Sequence, residues 1–99
     1  MKIYIAGKIT GDPNYKEKFK RAEDYLVTYG HTVLNPSVLP YDLSASDYTR
    51  ICIAMMECAD LVLFLPDYKE SPGALLELQW CKYTYKSYDF LSKLPGLEH

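Results

Sequence analysis

Cationic surplus, paired cysteines, histidine and long apolar runs are all scarce in this sequence, and each shortage removes a class of function. Eleven Lys and Arg stand against thirteen Asp and Glu, a net charge of -2. No basic excess is therefore available to neutralise a run of phosphates on a nucleic-acid polymer. The three cysteines, Cys52, Cys58 and Cys81, are odd in number and form no Cys-x-x-Cys pair, which argues against a disulfide framework. Histidine occurs only as His31 and His99, so neither a zinc site nor another metal or cofactor centre is expected. No stretch approaches the ~20 apolar residues that span a bilayer, and the run after Met1 is too short for a signal-peptide core. A cytoplasmic protein without a membrane partner is the expectation.

What is present is the composition of a globular protein: 48% apolar residues, 24% charged residues and ten tyrosines in 99 residues. That length accommodates one domain, expected over residues 1–96, and no second folding unit. Leu97-Glu98-His99 reads as the remnant of a cloning linker and affinity tag and is set apart from the fold.

Periodicity orders the elements. Lys2 to Ala6 is short, β-branched and aromatic and stops at Gly7, as a buried strand does before a turn. Tyr15, Phe19, Ala22, Leu26 and Tyr29 then mark one helical face, with Asp12 placed to cap, Pro13 in the first turn and Gly30 as a left-handed end. A second strand over His31 to Leu34 is halted by Asn35-Pro36, and an irregular loop follows from Ser37 to Ala45. The next helix is expected from Ser46 or Asp47 to about Ala59, with Ile51, Cys52, Met55, Met56 and Ala59 turned inward. Leu61 to Leu65 is an uninterrupted apolar run, the mark of a parallel strand covered on both faces. Ser71 can cap a third helix with Pro72 at its first position, continuing to around Tyr85, and a short strand follows near Tyr88 to Leu91.

This alternation predicts an α/β fold, a three-layer α/β/α Rossmann-like (flavodoxin-like) sandwich with a small parallel sheet. Ligands of such sheets bind beyond the carboxyl ends of the strands. Three loops lie there: Gly7 to Gly11, Asn35-Pro36, and Pro66 to Gly73.

In the first loop, Gly7, Lys8, Ile9, Thr10 and Gly11 combine two glycines with a cation and a hydroxyl. Its backbone N–H groups can hold an anion, and it serves equally as a tight turn that needs positive backbone angles. It has neither the Walker spacing nor the dinucleotide Gly-x-Gly-x-x-Gly. The third loop opens its helix with Ser71-Pro72-Gly73-Ala74, which leaves the backbone approachable, and Glu77 lies four residues beyond Gly73 on the same face. Helical spacing alone leaves Glu77 either overlooking that notch or solvated. The cysteines fall on or beside apolar helical faces and read as packing. Lys16, Lys18, Lys20 and Arg21 are balanced by Glu17, Glu23 and Asp24, the pattern of a solvated face. The aromatics from Trp80 to Tyr88 suit either a subunit interface or a covering for the sheet edge.

Together these residues carry a resemblance. Tyr4-Ile5-Ala6-Gly7 with Ile9-Thr10-Gly11, then Asn35-Pro36, Ala59-Asp60 and Ser71-x-Gly73-Ala74-x-x-Glu77, is similar to the nucleoside 2-deoxyribosyltransferase superfamily. The likeness is greatest to its small bacterial and phage branch, related to the deoxynucleoside 5′-monophosphate N-glycosidases, and spans Met1 to about Thr84. The resemblance implies a hydrolase or transferase acting on the N-glycosidic bond of a small nucleoside or nucleotide, often as a homo-oligomer. It makes Glu77 the nucleophile with Tyr4 beside it. Gly7, Lys8, Ile9, Thr10, Gly11, Asn35 and Ser71 become substrate contacts, and Gly73 the residue that keeps the approach open. Three departures stand out. Cys52 occupies the place where active relatives carry an aspartate that helps to protonate the leaving base, with Asp47, Glu57 and Asp67 as nearby replacements. Lys8 stands where the branch commonly has proline, and no glycine follows the third helix. The alternative these departures imply is a weakened nucleotide-binding module, or an interaction subunit, on the same scaffold.

Overall fold

The structure is a computed structural model that describes residues 1–94. The expected domain end at residue 96 and the tag remnant at 97–99 lie outside the described residues. Strand β1 (Lys2–Ala6) is followed by helix α1 (Tyr15–Thr28), β2 (Thr32–Leu34), α2 (Ala45–Cys58), β3 (Leu61–Phe64), α3 (Pro72–Thr84) and β4 (Tyr88–Phe90). The four strands form one parallel sheet in the order β2-β1-β3-β4.

The period-2 alternation of β1 divides the core between two faces. Ile3 and Ile5, with Leu63 and Leu65, pack against Tyr15, Phe19, Ala22 and Leu26 of α1. Tyr4 and Ala6, with Val62 and Phe64, pack against Cys52 and Met56 of α2 and Leu78 and Cys81 of α3. These are the three layers expected from the sequence, and the arrangement leaves β1 and β3 covered on both sides.

Several local expectations are corrected. Helix α1 begins at Tyr15, because Asp12 and Pro13 remain in the preceding turn, where one oxygen of Asp12 accepts from the Asn14 N–H at 2.9 Å. Gly30 does adopt the left-handed conformation, at φ 86°. The loop after β2 starts as a 3₁₀ turn over Pro36–Val38, capped by Asn35, whose side chain accepts from Ser37 N–H at 2.9 Å. Helix α2 starts at Ala45, one or two residues earlier than expected, because Ser44 caps it, accepting from Asp47 N–H. Its Ile51 is 37% exposed rather than turned inward, and Cys58 is exposed rather than packed. Ser71 caps α3 as expected, with Pro72 at the first position. Lys18 is not part of a solvated face: it is 8% exposed and bonded to two carboxylates. No helix among the described residues is long and apolar enough to cross a membrane.

Candidate active site

A cavity of about 530 Å³ opens at the carboxyl ends of β1 and β3, on the sheet face covered by α2 and α3. Tyr4, Gly7, Ile9, Thr10, Ser71, Gly73, Glu77 and Cys52 all line it. These eight come from one strand, two helices and the loops between them, so only the tertiary fold joins them. Lys8, Gly11 and Asn35 do not line it among the described residues. Lys8 turns outward to pair with Glu70 at 3.6 Å. Gly11 serves the turn into α1 at φ 85°. Asn35 is buried and donates to Glu23 at 2.8 Å, while its neighbour Pro36 forms part of the wall.

In the wall of the cavity, the Tyr4 hydroxyl donates to Oε2 of Glu77 at 2.6 Å. Strand alternation sends Tyr4 toward α3, and the spacing from Gly73 brings Glu77 to meet it. Burial pushes the Glu77 carboxyl up to about 7, against the opposing pull of the Tyr4 hydrogen bond. Tyr4 itself is raised well above the ordinary phenol value, first by burial and then by the adjacent Glu77 charge. Its hydroxyl also faces the Cys52 thiol, which burial raises to about 11 despite that contact. Near neutral pH the pocket thus holds a carboxyl that can take either protonation state beside a protonated phenol and a protonated thiol. Such a carboxylate is a competent nucleophile in its ionised form, and one oxygen remains free of Tyr4.

The two glycines do different work. A Cβ on Gly73 would meet only Ser71 Oγ at 3.8 Å, so a small residue here leaves the carboxylate approachable. A Cβ on Gly7 would lie 3.0 Å from Leu65 and 3.2 Å from Asp67 Oδ1, so this glycine is needed for close packing against the loop after β3. The positive backbone angle expected somewhere in this turn falls at Gly11. Ser71 Oγ accepts from Ala74 N–H at 3.1 Å, which leaves the hydroxyl proton for a ligand.

The rest of the lining is largely apolar and aromatic and includes Tyr15, Leu39, Tyr41, Leu43, Tyr48 and Ile53. The rings of Tyr15 and Tyr41 stack with centroids 6.1 Å apart. Apart from Tyr15, which the sequence assigns to the core face of α1, these residues escaped the sequence reading. Tyr48 alone carried a signal, lying one helical turn before Cys52. Nothing in the sequence ties Tyr41, on the loop before α2, to Tyr15. No group of three metal-ligating side chains occurs among the described residues.

The fold is shared with solved 2-deoxyribosyltransferases. A 2-deoxyribosyltransferase from Bacillus psychrosaccharolyticus is similar with a TM-score of 0.71 at 21% identity, over 91% of this chain and 71% of that one. A 2-deoxyribosyltransferase from Leishmania mexicana is similar with a TM-score of 0.72 at 18% identity, over 91% of this chain. The chain spans 63% of the Leishmania protein, less than two thirds of its length. No curated protein sequence matches significantly. The expected nucleoside 2-deoxyribosyltransferase-like fold is therefore present at low identity. Over residues 1–88 the sequence matches the domain of unknown function DUF4406, and the chain belongs to that family.

Proposed function

We propose that the protein breaks the N-glycosidic bond of a 2-deoxyribonucleoside or its 5′-monophosphate, with Glu77 as nucleophile. The observation that carries this reading is the 2.6 Å Tyr4–Glu77 pair at the wall of a cavity otherwise lined largely by aromatic and apolar side chains. The base packs against the aromatic lining and the sugar lies at the carboxylate. The free oxygen of Glu77 attacks the anomeric carbon, the C–N bond breaks, and its electron pair leaves with the base. The resulting glycosyl ester is then opened by water, which makes a hydrolase, or by a second base, which makes a transferase. Tyr4 orients the carboxylate. Thr10, Ser71 and the backbone at Gly7, Ile9 and Gly73 contact the sugar and its 5′ side, while Lys8, Gly11 and Asn35 shape the loops that carry those groups.

A second reading is a binding module of the same specificity with little turnover. It is favoured by Cys52, a thiol raised to about 11 where protonation of the departing base would be useful. In either reading the working form is a homo-oligomer, a proposal supported by Tyr83 and Tyr85, exposed at 87% and 93%.

The deciding experiment measures nucleobase release from the common 2′-deoxynucleosides and their 5′-monophosphates, wild type against Glu77→Ala. Release that disappears in the variant supports the enzyme. Ligand binding without release supports the module, and equal release by both proteins excludes Glu77 as nucleophile.

A further inference from the structure

The most buried Lys or Arg of the described residues, Lys18, is bonded to the two loops that border the cavity. Lys18 sits on α1 between Tyr15 and Ala22, on the stripe that faces the sheet, and only 8% of it is exposed. An ammonium has three N–H donors, and this one finds three acceptors. They are the Lys8 carbonyl at 2.6 Å, Asp12 Oδ2 at 2.6 Å, and Oδ2 of Asp67. The other oxygen of Asp67 accepts from the Lys8 N–H at 3.2 Å, so Asp67 holds the same peptide segment from its second side.

The rest of α1 shows how different this is. Lys20 pairs with Asp24 at 3.3 Å and Arg21 with Glu17 at 2.8 Å, both as exposed pairs one helical turn apart. Such pairs contribute little. Lys18 instead joins segments distant in sequence, and each of them leads into a wall of the cavity. Lys8 lies between Gly7 and Ile9, and Asp67 precedes Ser71 and Gly73, residues that line it. Without the ammonium, the carboxylates of Asp12 and Asp67 would lose the one charge bonded to both of them, and their mutual repulsion would be offset only by backbone N–H groups and the more distant Lys8.

We propose that Lys18 is a positioning residue: its ammonium clamps the Gly7–Gly11 loop to the loop after β3 and thereby sets the spacing of the two loop walls that receive the ligand. It acts through Lys8, Asp12 and Asp67 and does not touch the Tyr4–Glu77 pair. Removing it therefore loosens binding more than it slows bond breaking. The kinetic part of this expectation rests on the deoxyribosyl reading above, whereas the ordering of the loops does not.

The test compares Lys18→Met, Lys18→Arg and Lys20→Met in the full chain. Amide hydrogen exchange should accelerate in Lys18→Met at Lys8 and across residues 7–12 and 65–71, with Lys18→Arg intermediate and Lys20→Met like wild type. With the common 2′-deoxynucleosides as probes, Lys18→Met should raise KM about 10- to 100-fold, the scale on which small misplacements act, while kcat changes only a few-fold. If Lys18→Met does not fold, Asp67→Asn keeps an oxygen for the Lys8 N–H but removes the charge, and should move exchange and KM in the same direction by less. Unchanged exchange in these loops, or a fall in kcat at constant KM, overturns the clamp. Faster exchange together with no turnover in wild type upholds the clamp and counts against the enzymatic reading.

Discussion

The Tyr4 hydroxyl and the Glu77 carboxylate meet at 2.6 Å, although the two residues stand 73 positions apart in sequence, one on β1 and one on α3. The contact sets two opposing influences on Glu77. Burial favours its protonated form and the phenol favours its ionised form, with the balance at about 7.

That balance has a kinetic consequence under the proposed reaction. Only ionised Glu77 can attack, so kcat/KM should rise with pH and level off above about 7. Tyr4→Phe removes the bond that stabilises the ionised form. A hydrogen bond to a charged group is worth ~1.5–3 kcal/mol, so the inflection should move upward by roughly one to two pH units. A pH–rate profile of both proteins checks this, and an unmoved inflection would separate Tyr4 from the ionisation of Glu77.

The same shift affects folding. The carboxyl titrates near its ordinary 4.5 in the unfolded chain and at about 7 in the folded one. Below 4.5 both states hold the proton; between the two values the unfolded chain releases it while the fold retains it. Stability therefore declines as pH rises through this window, by about 3 kcal/mol in total, and stays level above it. Glu77→Gln should match wild type near pH ~4 and exceed it near pH ~8 by up to that amount. Denaturant melts at the two pH values would show it, and a variant less stable at both would contradict it.

Cys52 lines the cavity while remaining 2% exposed, so a change there reaches the ligand directly. If protonation of the leaving base limits the reaction, Cys52→Asp should accelerate nucleobase release, by up to ~10²-fold for a well-placed acid. Fast wild-type turnover that this substitution leaves unaltered would assign the acid elsewhere. Asp67 is then the poorer replacement, since both its oxygens are engaged by Lys8 and Lys18, and Asp47 is the first to mutate.

Helix α3 ends on Tyr85 in the left-handed conformation, at φ 60°. An aromatic residue is strained there by ~1–2 kcal/mol, and glycine is not. Tyr85→Gly should raise the stability of the protein in dilute solution by about 1 kcal/mol. Equal or lower stability would mean that the exposed ring contributes contacts of its own.

Tyr83 and Tyr85 present a large aromatic area on the outer end of α3. Light scattering should accordingly return the mass of a dimer or larger assembly, and a monomer mass independent of concentration would refute it.

Much of the architecture was written in local patterns. β1 was legible because Lys2 to Ala6 is bounded by Gly7, and β3 because five apolar residues run together without a break. Ser71-Pro72 announced the start of α3, since both residues act within one turn of themselves. Caps that compete are harder to read: Asp12 and Ser44 each sit near other polar residues that can cap, and the choice between them depends on packing several turns away. Asp12 instead bonds the Asn14 N–H and Lys18, a partner that the balance of charges along α1 assigned to a solvated face.

The site divides along the same line. Glu77 above Gly73 and the strand-end loops follow from helical and strand periods, which are properties of the chain alone. That Tyr4 reaches Glu77, that Lys18 spans two loops, and that Tyr15, Tyr41 and Tyr48 face one cavity were settled only when the layers closed. The physical reason is range: backbone periodicity fixes which residues share a face over a few turns, whereas burial, charge pairing and pKa depend on which faces the fold brings together.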